Sequence, residues 1–377
     1  MSASAEPCSP TERDGLRQAL ALRKPLGISR IADLTGLDTV GIPVAQAVQP
    51  FSLSLAVAQG KGLTPAQAIL SAVMECAETF CAEKPERFAT IRGSAARLGV
   101  PNRRFEAFAN EAGWHDEETD WIECEEIVCG GRALVPFDLV HTAYLQPADG
   151  ASPLFTGSTT GLAAGFSQDQ ATLHALLECV ERDALARAHA SHGFLQRNRI
   201  DPSFIGEPCL LDLLRRLEEK GFLVGLWHMP SPTGIPAIWC HLLEDRPSET
   251  AILPFPAEGT AARADGTEAT VCAILEAAQS RLAAISGARE DITRAQYPAY
   301  PDRQHIEAHR RLIAEGPRTV ALSSIADGAG ASSADLVARL AACGNDAVYR
   351  IAMGDRSLPG ISVVRTIVPG LMPFYEA

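Results

Sequence analysis

Three apolar segments of the chain each carry two acidic or amide side chains spaced three residues apart: Glu75 and Glu78, Glu178 and Glu181, and Glu276 and Gln279. Residues three apart share one face of a helix, so each segment would present paired oxygen acceptors along one edge. Carboxylates in apolar surroundings are costly unless a cation neutralises them. Oxygen ligands with few His or Cys residues favour hard ions, so the pattern predicts Mg²⁺. Because Mg²⁺ usually completes its shell with water and phosphate oxygens, we expect a nucleoside triphosphate beside it.

The three segments also begin alike. Each starts with a capping box, in which the cap side chain and the side chain three residues later satisfy free N–H groups: Thr64 with Gln67, Ser167 with Gln170, and Asp265 with Glu268. The first glutamate lies eleven positions after the cap each time. The alternative is three unrelated helices whose acids lie on solvated edges or pair with Arg182, Arg187 or Arg281. Three matched copies favour one site on which related strand-helix units converge.

Cationic groups near these segments could bind phosphate. Arg182 adjoins Glu181, and Arg281 follows Gln279 by two residues, so both could contact phosphate oxygens. Just before the first helix, Gln59-Gly60-Lys61-Gly62 could bring backbone N–H groups and the Lys61 ammonium to the same region.

Composition excludes several other classes of protein. The chain has 377 residues, 46% of them hydrophobic, and a net charge of −13 without any block of basic residues. This balance argues against a protein that coats nucleic acid or a membrane surface. No segment reaches the ~18 uninterrupted apolar residues of a membrane span, so we expect a cytoplasmic protein. The ten cysteines form no C-x-x-C pair, and zincin, P-loop and hydrolase-elbow motifs are absent.

Strand and helix patterns interleave without an obvious linker. We expect a polar, loosely attached tail over residues 1–22 and a single mixed α/β domain over residues 23–377. The predicted helices are Thr64–Ala82, Ser167–His189, Leu210–Lys220 and Asp265–Ile285, and the predicted β regions are Ile28–Val48, Ile122–Val140, Leu223–Trp227, Ile235–Leu243 and Ala347–Val368. The run Gly328–Ser333 lacks the third glycine of a dinucleotide fingerprint and predicts a turn with a serine cap.

In this order the motifs resemble those of the YcaO family of ATP-dependent enzymes that modify peptide backbones. The resemblance spans roughly residues 23–371 and includes S-x-x-x-E-x-x-E at Ser71, E-x-x-E-R at Glu178, E-x-x-Q-x-R at Glu276 and V-V-R at Val363. It also includes Arg30–Asp38, Gly41–Val44, Gly60–Gly62, Gly161–Gly165 and Val368–Leu371.

The resemblance implies a YcaO-like fold in which ATP lies among the glutamate-bearing helices. It implies that Glu75, Glu78, Glu178 and Glu181 bind Mg²⁺, and that Ser71, Arg182, Gln279 and Arg281 hold the nucleotide. Members of the family attack an amide carbonyl with a nucleophile and use ATP to remove the oxygen as phosphate. A Cys, Ser or Thr side chain then gives an azoline, sulfide gives a thioamide, and an amine gives an amidine.

Two departures from the family pattern bear on the reaction and its partners. Thr79 stands where many members have Arg, and the sequence ends without the alternating prolines of azoline-forming relatives. The second departure favours thioamide formation with a TfuA-type partner. With no leader-binding domain evident at the N-terminus, we expect a separate protein to supply the peptide or the sulfur; a homodimer is one option for the assembly.

The sequence leaves other functions open. One alternative is an azoline-forming cyclodehydratase, another is a nucleotide-binding subunit without its own catalysis, and a third is a Mg²⁺-dependent kinase or phosphatase. No catalytic acid or base can be named, although His189, His192, His228 and Cys240 could assist proton transfer.

Overall fold

The protein is represented by a computed structural model that describes residues 10–143, 153–245, 255–289, 303–325 and 332–373. The helices are α1 (Pro10–Leu22), α2 (Pro65–Ala82), α3 (Ala95–Leu98), α4 (Gln168–Ala190), α5 (Phe194–Arg197), α6 (Pro208–Glu219), α7 (Gly266–Ser286), α8 (Arg303–Glu315) and α9 (Ser333–Ala342). The strands are β1 (Arg30–Asp33), β2 (Val44–Val48), β3 (Val57–Lys61), β4 (Ile91–Gly93), β5 (Thr119–Glu126), β6 (Arg132–Pro136), β7 (Leu162–Gly165), β8 (Phe222–His228), β9 (Ala237–Glu244), β10 (Ala257–Ala262), β11 (Tyr349–Ala352) and β12 (Ser362–Ile367).

The strands form three antiparallel sheets. Two of them have three strands, in the orders β1-β2-β3 and β10-β9-β8. The third has the order β4-β5-β11-β12-β7, with β6 paired to β5. Strand β12 pairs with β7 from Ser362 opposite Gly165 to Arg365 opposite Leu162. Each sheet therefore ends in a strand that leads directly into one long helix: β3 into α2, β7 into α4 and β10 into α7.

The caps that the sequence predicts begin all three long helices. The side chains of Thr64, Ser167 and Asp265 accept from the backbone N–H three residues later. In two units the side chain three residues after the cap also accepts a hydrogen bond, in each case from the N–H of the residue before the cap: Leu63 donates to Gln67 and Phe166 donates to Gln170, both at 2.9 Å. Local capping chemistry thus fixes where each helix begins, and with it the direction of each glutamate.

Two glycines allow strands to approach the helices closely. A Cβ on Gly60 would lie 2.1 Å from the backbone nitrogen of Ala72, and one on Gly259 would lie 2.2 Å from that of Ala277. Both contacts are closer than any real Cβ permits. The strand-helix spacing at these positions therefore requires glycine.

The mixed α/β class and the repeated strand-helix units are confirmed, and the predicted helices match α2, α4, α6 and α7 to within two residues at each end. The expectation of a loose tail needs correction. Residues 10–22 form α1, which packs on α2 and buries Ala19 and Leu22, because its apolar residues recur at helical spacing. The single domain over residues 23–377 stays a prediction. Ser332 caps α9 as expected, whereas residues 326–331 of the glycine-rich run lie outside the described residues.

Small side chains dominate where the long helices meet their strands. Ala72, Ala77, Ala175, Ala273 and Ala277 are essentially inaccessible to solvent. Alanine has the highest helix propensity and a small side chain, so the backbone of a helix and the backbone of a strand can lie close together. No helix among the described residues is long and apolar enough to cross a bilayer.

Candidate active site

The three strand-helix units close into a ring. Helix α2 packs on its own strand β3 and on β7 of the second unit, while α4 packs on β7 and on β10 of the third. Helix α7 packs on β10 and returns to β3 of the first unit. The ring has pseudo-threefold order, and the acidic residues of all three helices lie where helix and strand meet.

The first acid of each helix is hydrogen-bonded by the strand of its own unit. The Gly161 N–H donates to Glu178 Oε2 at 3.1 Å, and the Thr260 N–H donates to Glu276 Oε1 at 3.4 Å. The backbone of Gln59 does the same for Glu75. These bonds orient the carboxylates without neutralising them.

The second residue of each pair bonds to the strand of the next unit. Glu78 Oε1 accepts from the Ala164 N–H at 2.8 Å. Glu181 accepts from the Ala262 N–H at 3.1 Å and from the Thr260 hydroxyl at 2.6 Å.

At the third corner of the ring the partner is a carbonyl, since Gln279 Nε2 donates to the Gln59 oxygen at 3.0 Å. A carboxylate at position 279 could not make that bond, which accounts for glutamine there.

Burial raises the pKa of three of the glutamates. Desolvation is the main cause each time and brings the pKa of Glu75 and of Glu178 to about 7. The pKa of Glu78 lies well above its usual value for the same reason, with repulsion from Glu75 and Glu178 adding to it. Such carboxylates lack sufficient positive charge in the protein alone, which is the condition that a bound divalent cation would relieve.

The third corner of the ring carries its own cation. Lys61 Nζ lies 2.5 Å from Glu276 Oε2, with both side chains about one-quarter exposed. Although burial would raise the pKa of Glu276, Lys61 and Arg182 hold it below its usual value. Arg182 also lies 3.8 Å from Glu181. The ring therefore has four acids around α2 and α4 and positive charge toward α7.

Arg281 occupies a different place from that expected of a phosphate ligand. Its guanidinium is inaccessible to solvent and donates to Asp38 (2.5 and 3.1 Å) and to Glu244. These bonds join α7 to the segment after β1 and to the end of β9. Nucleotide binding by Arg281 stays a prediction, and its contacts in the structure are those of a buried structural ion pair.

The four predicted metal ligands lie in one region, since charge on Glu75 and Glu178 raises the pKa of Glu78, and charge on Glu181 raises the pKa of Glu178. Ser71 lies on the side of α2 that packs on Gly60, one turn before Glu75. Among the described residues, no three acidic, histidine or cysteine side chains already form a metal-binding cluster. Mg²⁺ needs no such cage when phosphate and water complete its coordination shell. Carboxylates that lack nearby positive charge therefore fit an Mg²⁺ ion that is also held by a triphosphate.

The candidates for proton transfer lie elsewhere in the fold. Cys240 is buried in β9, and burial raises the pKa of its thiol. The His189 ring packs on Trp239 with centroids 5.0 Å apart, and burial lowers the pKa of His228. Proton transfer by any of these three residues or by His192 stays a prediction.

Comparison with known proteins identifies the family. The profile of the family described as YcaO cyclodehydratase, ATP- and Mg²⁺-binding, matches residues 59–372. The chain therefore belongs to the YcaO family, an ATP- and Mg²⁺-dependent class of peptide-modifying enzymes. The predicted family, enzyme class and cofactors are confirmed.

Two curated relatives extend over most of the chain. A protein of Rhizobium leguminosarum bv. trifolii, described as uncharacterized and in the tfuA 3′ region, is 32% identical over 92% of this chain and 84% of its own. An uncharacterized protein of Methanothermobacter thermautotrophicus is 30% identical over 93% of this chain and 91% of its own.

Solved structures share the fold. YcaO from Methanopyrus kandleri, bound with AMPPCP and Mg²⁺, has a TM-score of 0.74 at 24% identity and covers 96% of this chain and 91% of its own. A heterocyclase in complex with substrate and cofactor has a TM-score of 0.76 at 17% identity, covering the whole of this chain and 55% of its own.

The sequence did not predict the groups that hold the glutamates in place. The donors are backbone N–H groups of β3, of β10, of β7 and of Gly161 just before β7, together with the Thr260 hydroxyl. A signal was present, because Ala164 and Ala262 each lie three residues before a predicted cap, as Lys61 does in the first unit.

Proposed function

We propose that the protein uses ATP and Mg²⁺ to activate a peptide backbone amide, and that sulfide attacks the activated carbon to give a thioamide. The observation that carries this proposal is the closed ring of three helices, in which desolvation raises the pKa of Glu75, Glu78 and Glu178 while Lys61 and Arg182 lie at the third corner. The name of the relative from the tfuA 3′ region supports thioamide formation with a TfuA-type partner.

Within this proposal the residues divide their work by charge. Glu75, Glu78, Glu178 and Glu181 would hold Mg²⁺, and their hydrogen bonds to strands keep the carboxylates oriented before ligands arrive. Ser71, Lys61, Arg182 and Gln279 would contact the nucleotide. When bound, Mg²⁺-ATP supplies the phosphoryl group that makes the amide oxygen a leaving group.

The overall reaction balances without an oxidant. Amide, hydrosulfide and ATP give thioamide, ADP and hydrogen phosphate: a carbon–sulfur bond replaces the carbon–oxygen bond, and the hydrosulfide proton leaves on phosphate. Arg182 lies 3.8 Å from Glu181 and would stabilise negative charge on the bound phosphates.

The test combines the protein with ATP, Mg²⁺, sodium sulfide and a pool of synthetic decapeptides of randomised sequence carrying ¹⁸O in the backbone amides. Wild-type protein should convert some peptides to thioamides and release ¹⁸O-labelled phosphate, whereas Glu181→Gln should lower both rates by about 100-fold or more. Exposed Glu111→Gln is the matched control and should behave as wild type.

Other outcomes would point to other functions. Loss of water from the peptides without sulfur incorporation would indicate an azoline-forming cyclodehydratase. The chain shares its fold with a heterocyclase. Nucleotide binding without any turnover would indicate a binding subunit, and unlabelled phosphate would indicate a kinase or phosphatase. An unchanged rate in Glu181→Gln would refute the role of the ring.

A further inference from the structure

An exposed phenylalanine projects from the turn between β2 and β3. Phe51 is 90% exposed, and Leu53 in the same turn is 47% exposed. Single apolar side chains on a protein surface are common, so exposure alone indicates nothing. What distinguishes Phe51 is that a buried group holds its turn in place.

The buried group is the carboxylate of Glu83, whose residue is only 3% exposed. Its Oε2 accepts three hydrogen bonds, at 2.6, 2.7 and 3.4 Å, from the Ser52 hydroxyl and from the N–H groups of Leu53 and Ser54. Hydrogen bonds to a charged acceptor are among the stronger ones in proteins. The turn is therefore ordered in advance, and a partner that covers Phe51 would lose little binding energy to ordering it.

A cavity with a mainly apolar lining lies near this turn. We call it the α1 cavity: its volume is about 200 Å³, and it lies between residues 18–25 at the end of α1 and residues 359–361 before β12. Gln18 is the one lining residue with a polar side chain among those that the structure describes. Since a cavity of about 150 Å³ can hold benzene, the ring of a phenylalanine fits this space.

The first wall of the α1 cavity contacts the strand that leads into the turn. Gln49, two residues before Phe51, is 5% exposed, and its Nε2 donates to the Leu26 carbonyl at 2.9 Å. Leu26 directly follows Pro25, which lines the cavity. The turn and this wall are therefore neighbours.

The second wall connects to the helix end that holds the turn. Asp355, four residues before Pro359, forms an ion pair with Arg87, which follows Glu83 by four residues. Phe51 and the α1 cavity thus belong to the same side of the molecule. At 90% exposure the Phe51 ring does not fill the cavity of its own chain.

We propose that Phe51 of one copy fills the α1 cavity of a second copy, and that the same contact in the other direction completes a twofold homodimer. A twofold interface sets one surface patch against its equal, so the projecting side chain and the cavity that receives it must lie on that same patch. This chain meets that condition. Aromatic side chains are enriched at protein interfaces, and each buried ring removes a large apolar area from water. The inference does not depend on the reaction that the protein catalyses.

Sedimentation velocity over a dilution series tests this interface with three variants. Phe51→Ala removes the projecting side chain, and Ala21→Trp fills the cavity while leaving Phe51 in place. Leu211→Ala removes an apolar side chain that is 43% exposed on α6 and is the matched control.

We expect wild type and Leu211→Ala to dimerise equally well. Because each substitution acts twice in a twofold dimer, Phe51→Ala and Ala21→Trp should each raise the dissociation constant by about 100-fold or more. An equimolar mixture of these two variants should dimerise about tenfold more tightly than either alone, because the intact cavity of one receives the intact Phe51 of the other. Misfolded variants would not be rescued by mixing.

Photocrosslinking identifies the surface that Phe51 meets. With p-benzoyl-phenylalanine in place of Phe51, crosslinks should form to residues 18–25 or 359–361 of an isotope-labelled second copy. A dimer that Phe51→Ala leaves unchanged, or crosslinks to other residues, would overturn the assignment. Wild-type protein that stays monomeric throughout the dilution series would overturn it in favour of a different protein as the occupant.

Discussion

The glutamates of the ring are costly to keep in the folded protein when no cation is bound. Glu178 accepts one backbone hydrogen bond, yet burial still raises its pKa to about 7. Above that pH the folded chain must hold an anion that the unfolded chain would leave in water. The carboxylate that suits Glu178 for binding a divalent ion thus lowers the stability of the ligand-free protein.

Replacing this residue should expose that conflict. Because the folded pKa of Glu178 is raised, its unfavourable contribution is present at pH 8, decreases as pH falls below about 7, and is absent below about 4.5. Glu178→Gln should therefore stabilise the ligand-free protein by about 2 kcal/mol at pH 8, less than the full shift because the side chain is partly exposed, and by little at pH 4.5. Urea unfolding at the two pH values measures the difference.

The same variant should lose the response to ligand. Addition of Mg²⁺ and ATP should raise the melting temperature of wild-type protein and leave that of Glu178→Gln nearly unchanged. If Glu178→Gln protein is no more stable than wild type at pH 8, the Glu178 carboxylate does not lack neutralising positive charge in the folded protein.

Sequence patterns reach some residues of the site and not others. The capping boxes and the constant spacing predict equivalent positions for Glu75, Glu178 and Glu276, and each of the three accepts a backbone hydrogen bond from its own strand-helix unit. Local sequence does not specify which strand lies beside that edge, because the strand of the next unit arrives after about 100 residues. The partners of Arg281 were missed for the same reason: Asp38 and Glu244 are distant in the chain and adjacent only in the fold.

At the level of elements, the identity of each second ring residue follows from what the neighbouring strand offers. Glu78 and Glu181 meet N–H donors, and Gln279 meets a carbonyl. The Gln59 carbonyl requires a donor, so the second residue of the pair on α7 is glutamine, whereas the first residue is glutamate as on α2 and α4.

Gln279→Glu should accordingly destabilise the protein by about 1–3 kcal/mol, because two acceptors would face each other in a partly buried place. Equilibrium unfolding in urea at pH 8 measures the loss. Gln18→Glu on the exposed surface of α1 is the matched control and should change stability by less than about 0.5 kcal/mol. Equal effects of the two substitutions would argue against the Gln279–Gln59 bond.

A second feature of this scale is the contact between β9 and α8. His241 is 2% exposed, and its Nδ1 lies 2.6 Å from His309 Nε2 with the rings stacked. Burial, with repulsion from His309 and His189, lowers the pKa of His241 well below its usual value. The folded protein therefore keeps this imidazole neutral where the unfolded chain would protonate it.

This residue should make stability depend on pH. The stabilising contribution is present above the unfolded pKa of about 6.5 and is lost as pH falls below it, because only the unfolded state then gains the proton. His241→Gln should reduce the slope of unfolding free energy against pH, between pH 6.5 and 5, by up to about 1.4 kcal/mol per pH unit. His115→Gln, at a partly exposed histidine, is the comparison; identical slopes in both variants would contradict the assignment.

At the scale of the whole molecule, a buried arginine with two acidic partners joins α7 to segments of two different sheets. Arg281 of α7 contacts Asp38 after β1 and Glu244 at the end of β9, so it connects two of the three sheets. Removing one partner of a buried pair leaves an uncompensated charge, which costs more than the pair contributes.

Arg281→Met should lower the free energy of unfolding by about 3–5 kcal/mol. Arg215→Met removes an arginine that also has two acidic partners but is 57% exposed, and should cost less than about 1 kcal/mol. Chemical denaturation of both variants checks the contrast. Activity that disappears in Arg281→Met while stability is retained would instead favour the nucleotide-binding role that the sequence predicts.

Strand β3 can lie as close to α2 as it does at Gly60 because glycine has no Cβ atom. A single methyl group there would push away the turn of α2 that carries Ser71, and with it the carboxylate of Glu75 one turn later. A saturation-mutagenesis screen for turnover would then score Gly60 as harshly as the glutamates themselves. The distance between the β3 and α2 backbones therefore sets the position of the α2 carboxylates, although Gly60 itself has no functional side chain.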